Sequence, residues 1–390
     1  MKSDAPTFWE FATANRILFG AGMLRKAPTI IASWGKRVLL VTGKTPSRAE
    51  PLAAALRAAG FAIETFSIPG EPAIPIIREG IALARTTRME AVVAFGGGSA
   101  LDAGKAIAGL AANEGDLLDY LEVIGKGMPL PKPGLPCLAI PTTAGTGAEV
   151  TRNAVIASPE HRLKASLRSP FLLPRAAIVD PELTHGLPPS ITAVTGMDAL
   201  TQLIEPFVSP RANPMTDALC REGMARIARS LRQVFRDGSD AAAREDMALA
   251  SLFGGIALAN AGLGAVHGFA APVGGMFEAP HGAVCAALLA PVTHANVAAL
   301  RSRAPGSPAL ARYREVARIL TGKPDASEEE GVTWLAALCR ELGIPALSAW
   351  GGAVKDFDEV ARKAAASSSM KGNPVALGQE ELVRILQASG

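Results

Sequence analysis

Only five histidines occur in the 390 residues. Two of them, His267 and His281, lie in one run almost free of charge, GAVHGFAAPVGGMFEAPHGAVCAALLAPV at 264–292. An imidazole in apolar surroundings needs a hydrogen-bond partner or a metal, because leaving it unpaired costs about 1–3 kcal/mol. Either one alone also reads as a core histidine bonded to a backbone carbonyl. The segment GMDALTQLIE at 196–205 shifts the balance. Asp198 and Gln202 stand four apart in a helical pattern and so project from one face. Two residues from that face and two histidines from a later loop have the chemistry to close on one cation.

A second kind of chemistry is suggested by Phe95-Gly96-Gly97-Gly98-Ser99, which follows a strand and opens a helix. Residues without side chains let backbone N–H groups approach a diphosphate, and the helix N-terminus adds partial positive charge. Such a turn also occurs as plain punctuation, and Asp102, in the first helical turn, is placed to cap it. The stretch PTTAGTGAE, Pro141 to Glu149, is another hydroxyl- and glycine-rich turn after a strand. Its threonines serve either cofactor phosphates and ribose or the local backbone. Lys164, in HRLKAS, faces either a cofactor or water.

These groups need elements to hold them, and the chain supplies two kinds. RVLLVT (37–42), FAIETF (61–66) and EAVVAF (90–95) read as strands, with helical patterns over 49–60, 75–87 and 96–112 between and after them. CLAIPTT (137–143) and AAIVD (176–180) add strand candidates, and 145–175 reads as irregular or hairpin. Strands alternating with helices of this length imply βαβ units around a parallel sheet. From about Pro181 the strand runs give way to long Ala/Leu/Arg helical patterns. The expected organisation is an α/β domain at 1–182 and an all-helical domain at 183–390, since 390 residues exceed one ordinary core.

Composition narrows the classes. A net charge of +3 with a pI near 8.7 argues against a dedicated nucleic-acid or membrane-surface protein. Met247 to Phe277 carries no Asp, Glu, Lys or Arg, but its seven glycines, Asn260, His267 and Pro272 suit a buried helix leading into a site loop better than a membrane span. The amino end has no apolar signal region, and Cys137, Cys220, Cys285 and Cys339 lack zinc-knuckle spacing. They read as reduced core thiols of a cytoplasmic protein.

GGGSALDAGK, PTTAGTGAE, GMDALTQLIE and HGFAAPVGGMFEAPHG, in this order and with RILFGAG (16–22) ahead of them, resemble the iron-containing (group III) alcohol dehydrogenase family over nearly the whole chain. The resemblance implies an N-terminal Rossmann-like domain, a helical C-terminal domain and an active site in the cleft between them. It implies that Gly97, Gly98 and Ser99 hold a diphosphate, with Asp102 at the same turn. Thr142, Thr143 and Thr146 would line the cofactor and Lys164 would contact its ribose. Metal ligands map onto Asp198, Gln202, His267 and His281, with Asp198 and the two histidines as the catalytic set. Two departures stand out. The family usually has histidine where this chain has Gln202, a neutral and weaker donor for Fe²⁺ or Zn²⁺. Ala271 occupies a position where some members carry a further histidine, suggested as a proton carrier.

The implied activity is an NAD- or NADP-dependent alcohol dehydrogenase or aldehyde reductase. The metal polarises the substrate oxygen while hydride moves between carbon and nicotinamide. Many NAD-preferring relatives carry Asp where Gly43 stands; its loss, with Lys44 and Arg48 nearby, points to NADP(H). The weakened ligand set keeps two alternatives open, a metal-free reductase resembling maleylacetate reductases and a glycerol or polyol dehydrogenase. A nucleotide-binding regulator with a decayed site is the alternative outside the enzymes. A homodimer or higher homo-oligomer is the family expectation.

Overall fold

The computed structural model describes residues 8–277, 279–351 and 356–390. They form two compact units. One comprises Thr13–Thr143 with Gly147–His185, and the other Gly186–Gly390 with Ala144–Thr146 and the described residues up to Ala12.

In the first unit six strands form one sheet. They are β1 (Ile17–Phe19), β2 (Arg37–Thr42), β3 (Ala62–Ser67), β4 (Ala91–Gly96), β5 (Cys137–Pro141) and β8 (Ala176–Val179), in the spatial order β1-β8-β5-β4-β2-β3. Every pairing is parallel. The apolar runs of β2, β4, β5 and β8 are almost wholly buried because helices cover both faces. Alternation along β2 shows the two layers. Leu39 and Val41 pack with α3 (Ile74–Thr86) and α4 (Gly98–Ala111), whereas Val38 and Leu40 pack with α1 (Ala27–Ile31) and α2 (Glu50–Ala58). A short α5 (Leu117–Tyr120) precedes β5. The weakly periodic stretch 145–175 contains an antiparallel hairpin of β6 (Asn153–Ser158) and β7 (Leu163–Arg168). RILFGAG, read only as a lead-in, contains β1, an edge strand whose partner β8 lies some 160 residues later.

The order matters for binding. From β2 the chain moves outward to β3, then returns to place β4 on the other side of β2 before continuing to β5. Helices leave the carboxyl ends of β2 and β4 in opposite directions, and ligands of such sheets bind at this switch point.

The second unit is helical: α6 (Pro189–Val208), α7 (Pro214–Arg236), α8 (Ala241–Ala261), α9 (Ala265–Met276), α10 (His281–Arg303), α11 (Pro308–Thr321), α12 (Glu328–Glu341), α13 (Phe357–Ala365) and α14 (Gln379–Ala388). Among its described residues no strand is present. α6 lies at its centre and is buried on nearly every side from Gly196 to Val208. Such a helix is a core element, so polar groups on it must find partners inside the protein. Helix α10 has the length and apolarity of a membrane span, but 72% of that window is buried among other helices.

Candidate metal centre

Helix α6 carries Asp198, Gln202 and Glu205 at intervals of four and three, one face of a helix. Their exposures are 1%, 2% and 5%, so this face puts three polar groups into the core. His267 sits in the first turn of α9, and His281 opens α10 directly after Pro280. Gly282 permits the close approach of α10 to α6. A Cβ there would stand 2.7 Å from the Val194 carbonyl oxygen. Cys285 follows His281 by one helical turn on the same face and is fully buried.

Four ligand atoms, from Asp198, His267, His281 and Cys285, all lie within 4.8 Å of one another. Asp198 Oδ1 is 3.4 Å from His267 Nε2 and 3.6 Å from His281 Nε2, yet it has no hydrogen-bond partner. Cys285 Sγ is 3.7 Å from His281 Nε2 and 3.9 Å from His267 Nε2. Several of the polar atoms around them are occupied. Glu205 Oε2 lies 2.6 Å from His267 Nδ1, and Glu205 Oε1 accepts from the Val266 N–H at 2.7 Å. Gln202 Nε2 donates to Asp198 Oδ2 at 3.2 Å, while Gln202 Oε1 is buried without a partner.

The electrostatics favour positive charge at this spot. Burial pulls the His267 pKa down, but Cys285, Glu205 and Asp198 reverse that and hold it well above the usual imidazole range. At His281 burial likewise opposes the charged form, and Cys285 and Asp198 overcome it, raising the pKa to about 9. Burial pushes Asp198 up; the two imidazoles outweigh it and leave a lowered pKa. Orphaned acceptor atoms beside two histidines form a donor set suited to a borderline divalent cation.

Sequence reading missed two members of this constellation. Glu205 was visible three residues after Gln202 on the same face, an ionisable group in an otherwise apolar helix. Cys285 was read with the core thiols. The burial-raised pKa values of Cys137 and Cys339, each near 12, and the raised value of Cys220 match that description for those three. Cys285 instead faces two imidazoles, four residues after His281.

The glycine-rich turn lies in the sheet unit, at the switch point. Gly96 ends β4 with φ +155°, and a Cβ on it would come within 3.4 Å of the Gly43 nitrogen at the end of β2. Thr142 donates its N–H to the Gly96 carbonyl, joining the loop after β5 to the same turn. Helix α4 begins at Gly98 with no side-chain cap, so its first N–H groups lack side-chain acceptors there. Asp102 is not the cap expected of it, because it stands beyond the first turn. Its carboxylate meets Lys105 Nζ at 2.9 Å and accepts from the Val155 N–H at 2.9 Å. Lys105, fully buried, also donates to the carbonyls of Ala148 and Asn153 and to Thr151 Oγ1, fastening the hairpin to α4. Lys164 is neither free nor solvated; it pairs with Glu71 at 3.0 Å with its side chain 6% exposed. Thr143 is half-buried beside Gly97, while Thr146 falls in the short segment grouped with the helical unit.

The family model described as iron-containing alcohol dehydrogenase matches residues 14–181, and that of the Fe-containing alcohol dehydrogenase family C-terminal region matches 192–390. The chain belongs to the iron-containing alcohol dehydrogenase family. It is 36% identical to the 1,3-propanediol dehydrogenase of Klebsiella pneumoniae over 366 residues, covering 90% of this chain and 91% of that one. A crystal structure of 1,3-propanediol oxidoreductase superimposes with a TM-score of 0.90 at 32% identity, covering 98% of this chain and 100% of that one. The sulfoacetaldehyde reductase of Bifidobacterium kashiwanohense, solved in complex with NAD+, gives a TM-score of 0.85 at 27% identity and 98% coverage of each chain. Membership of this alcohol dehydrogenase family places the chain among oxidoreductases acting on alcohols.

Proposed function

We propose that this member of the iron-containing alcohol dehydrogenase family is an NAD(P)-dependent dehydrogenase of small alcohols and reductase of the corresponding aldehydes, with one divalent cation at Asp198, His267 and His281. The observation that carries the proposal is the buried Asp198 Oδ1, which has no hydrogen-bond partner and stands 3.4 and 3.6 Å from the two Nε2 atoms. When bound, the cation supplies a Lewis acid for the substrate oxygen and the nicotinamide supplies the hydride donor or acceptor.

The chain's own groups prepare that chemistry. Glu205 accepts from His267 Nδ1–H, which fixes the ring and leaves Nε2 on the side of Asp198. Gln202 donates to Asp198 Oδ2 and so leaves Oδ1 for the cation. Gln202 Oε1 and Cys285 Sγ are the two candidates for a fourth donor. In the sheet unit, the N–H groups at Gly98 and Ser99 would hold the cofactor diphosphate, with Gly97, Thr142 and Thr143 lining the same turn. Asp102 supports that turn through Lys105 and Val155, and Lys164 and Thr146 are proposed to line the cofactor.

The direct test follows nicotinamide absorbance with metal-reconstituted protein and a panel of small alcohols and aldehydes. Full activity in strong chelator, with no metal bound, would overturn the cation and favour a metal-free reductase. A sharper test is Glu205→Gln. Removing the charge behind His267 is expected to weaken metal binding about ten- to hundredfold, as seen for carboxylates behind ligating histidines. Unchanged affinity in a metal titration would show that Glu205 serves the fold alone.

Dinucleotide choice is proposed to favour NADP(H). Gly43 itself carries no carboxylate to bond the adenosine ribose or repel a 2′-phosphate, and nothing lies within 4 Å of where its Cβ would stand. Lys44 is exposed beside it, whereas Arg48 already donates to the Leu183 carbonyl. The open space admits a side chain without displacement. Gly43→Asp is therefore expected to lower kcat/KM for NADP(H) by at least about tenfold more than for NAD(H), a difference of about 1.4 kcal/mol. A wild type already tenfold better with NAD(H) would refute the preference.

A further inference from the structure

We infer that Cys285, as a thiolate, is the fourth protein ligand of the cation, giving an Asp198, His267, His281, Cys285 set in which Gln202 is not a ligand. The inference rests on the proposed cation site and names a member that the spacing of the histidines did not suggest.

Distances carry it. Metal–nitrogen bonds of about 2.0–2.1 Å and metal–sulfur bonds of about 2.3 Å generate a tetrahedron with edges of about 3.4 Å between N or O donors and about 3.6 Å between N and S. The edges present are 3.4 and 3.6 Å from Asp198 Oδ1 to the two Nε2 atoms. Those from Cys285 Sγ to the same nitrogens are 3.7 and 3.9 Å. Four of the six edges, those that the two Nε2 atoms make with Oδ1 and Sγ, thus already stand within a few tenths of an ångström of tetrahedral spacing, and all four donors lie within 4.8 Å of one another. Gln202 is differently engaged. Its amide nitrogen points at Asp198 Oδ2, as it must, since turning the amide would set its oxygen against a carboxylate oxygen. That bond aims Oδ1 at the centre, so Gln202 acts on the site through Asp198.

Placement of the sulfur also follows from the helix. His281 and Cys285 are one turn apart on α10, and the close contact at Gly282 draws this turn against α6. Where the family resemblance implies a third imidazole, at position 202 on α6, this chain has an amide, and its thiol stands on α10. Binding releases the thiol proton to solvent and replaces a neutral donor with a charged, softer one, which favours Zn²⁺ over Fe²⁺.

Cobalt(II) titration of metal-free, full-length protein tests this without an activity assay. Wild type is expected to bind one equivalent with intense tetrahedral d–d absorption and a near-ultraviolet thiolate-to-cobalt charge-transfer band. Cys285→Ser should lose the charge-transfer band and bind the ion at least about tenfold more weakly. Gln202→Ala should keep the band. Cobalt bound stoichiometrically without that band, or a band that survives in Cys285→Ser, overturns Cys285 as a ligand while leaving the cation site standing. No binding by folded wild type overturns the cation site and the thiolate together. Cys285→Ala, with its melting temperature measured alongside, separates loss of a ligand from loss of packing.

Discussion

Replacing His267 by alanine is expected to abolish stoichiometric metal and reduce kcat/KM by more than about a hundredfold, since losing a group that merely orients a ligand already costs ten- to hundredfold. The substitution removes Nε2, the atom 3.4 Å from Asp198 Oδ1. It also strips Glu205 Oε2 of its partner in the interior, and breaking a buried pair from one side costs about 3–5 kcal/mol. Glu205 Oε1 keeps its bond from Val266, which limits the damage. His267→Asn separates the two effects. Its amide N–H reaches where Nδ1 stands, so Glu205 stays satisfied while the Nε2 donor is gone. Both variants should lose metal by elemental analysis, and only alanine should also melt markedly earlier. If His267→Asn retains a full equivalent of metal and full activity, the cation does not sit on His267.

In the sheet unit, Glu149→Gln is expected to stabilise the protein at pH 8 and leave it almost unchanged near pH 4.5. Glu149 closes the PTTAGTGAE turn, is 1% exposed, and has an Oε2 without a hydrogen-bond partner. Burial drives its pKa from 4.5 to about 7, against small opposing effects of a backbone bond and Lys105. The folded protein therefore holds this proton more tightly than the unfolded chain. Below pH 4.5 both states are protonated and no penalty arises. Between 4.5 and about 7 stability falls as the unfolded chain releases the proton first, and above 7 the penalty levels off. The interval corresponds to about 3 kcal/mol, an upper order of magnitude. Glutamine keeps the shape without the ionisation. Thermal melts of the two proteins at both pH values read the difference directly. Parallel melting curves, with no gain at pH 8, would mean that Glu149 finds a counter-charge or water when ionised.

Much of this fold was legible in local patterns. The β-branched runs at 37–42 and 90–95 became central strands because parallel sheets bury both faces and so demand uninterrupted apolar residues. The helix expected over 75–87 spans Ile74–Thr86, and the loss of strand runs after Pro181 marks the change to helices. Asp198, His267 and His281 were recognisable because ionisable groups in apolar helical stretches need a shared purpose. Their ligand atoms lie within 4.8 Å of one another.

What the chain alone left undecided depends on partners distant in sequence. Periodicity reports which face of a helix is buried, but not what faces it. Asp102 looked like a cap; packing of α4 against the hairpin gave its carboxylate the Val155 N–H instead, beside Lys105 on the same helix. Lys164 had two readings, and only the fold brings Glu71 to it. β1 is three residues long and becomes a strand through β8. Cys285 was one buried thiol among four until the start of α10 at His281, pressed against α6 at Gly282, set its sulfur between two imidazoles. Residue type and spacing determined which chemistry this protein can perform. Tertiary packing decided which atoms share it, because a ligand set is a matter of ångströms between helices and a sequence records only the separations along one.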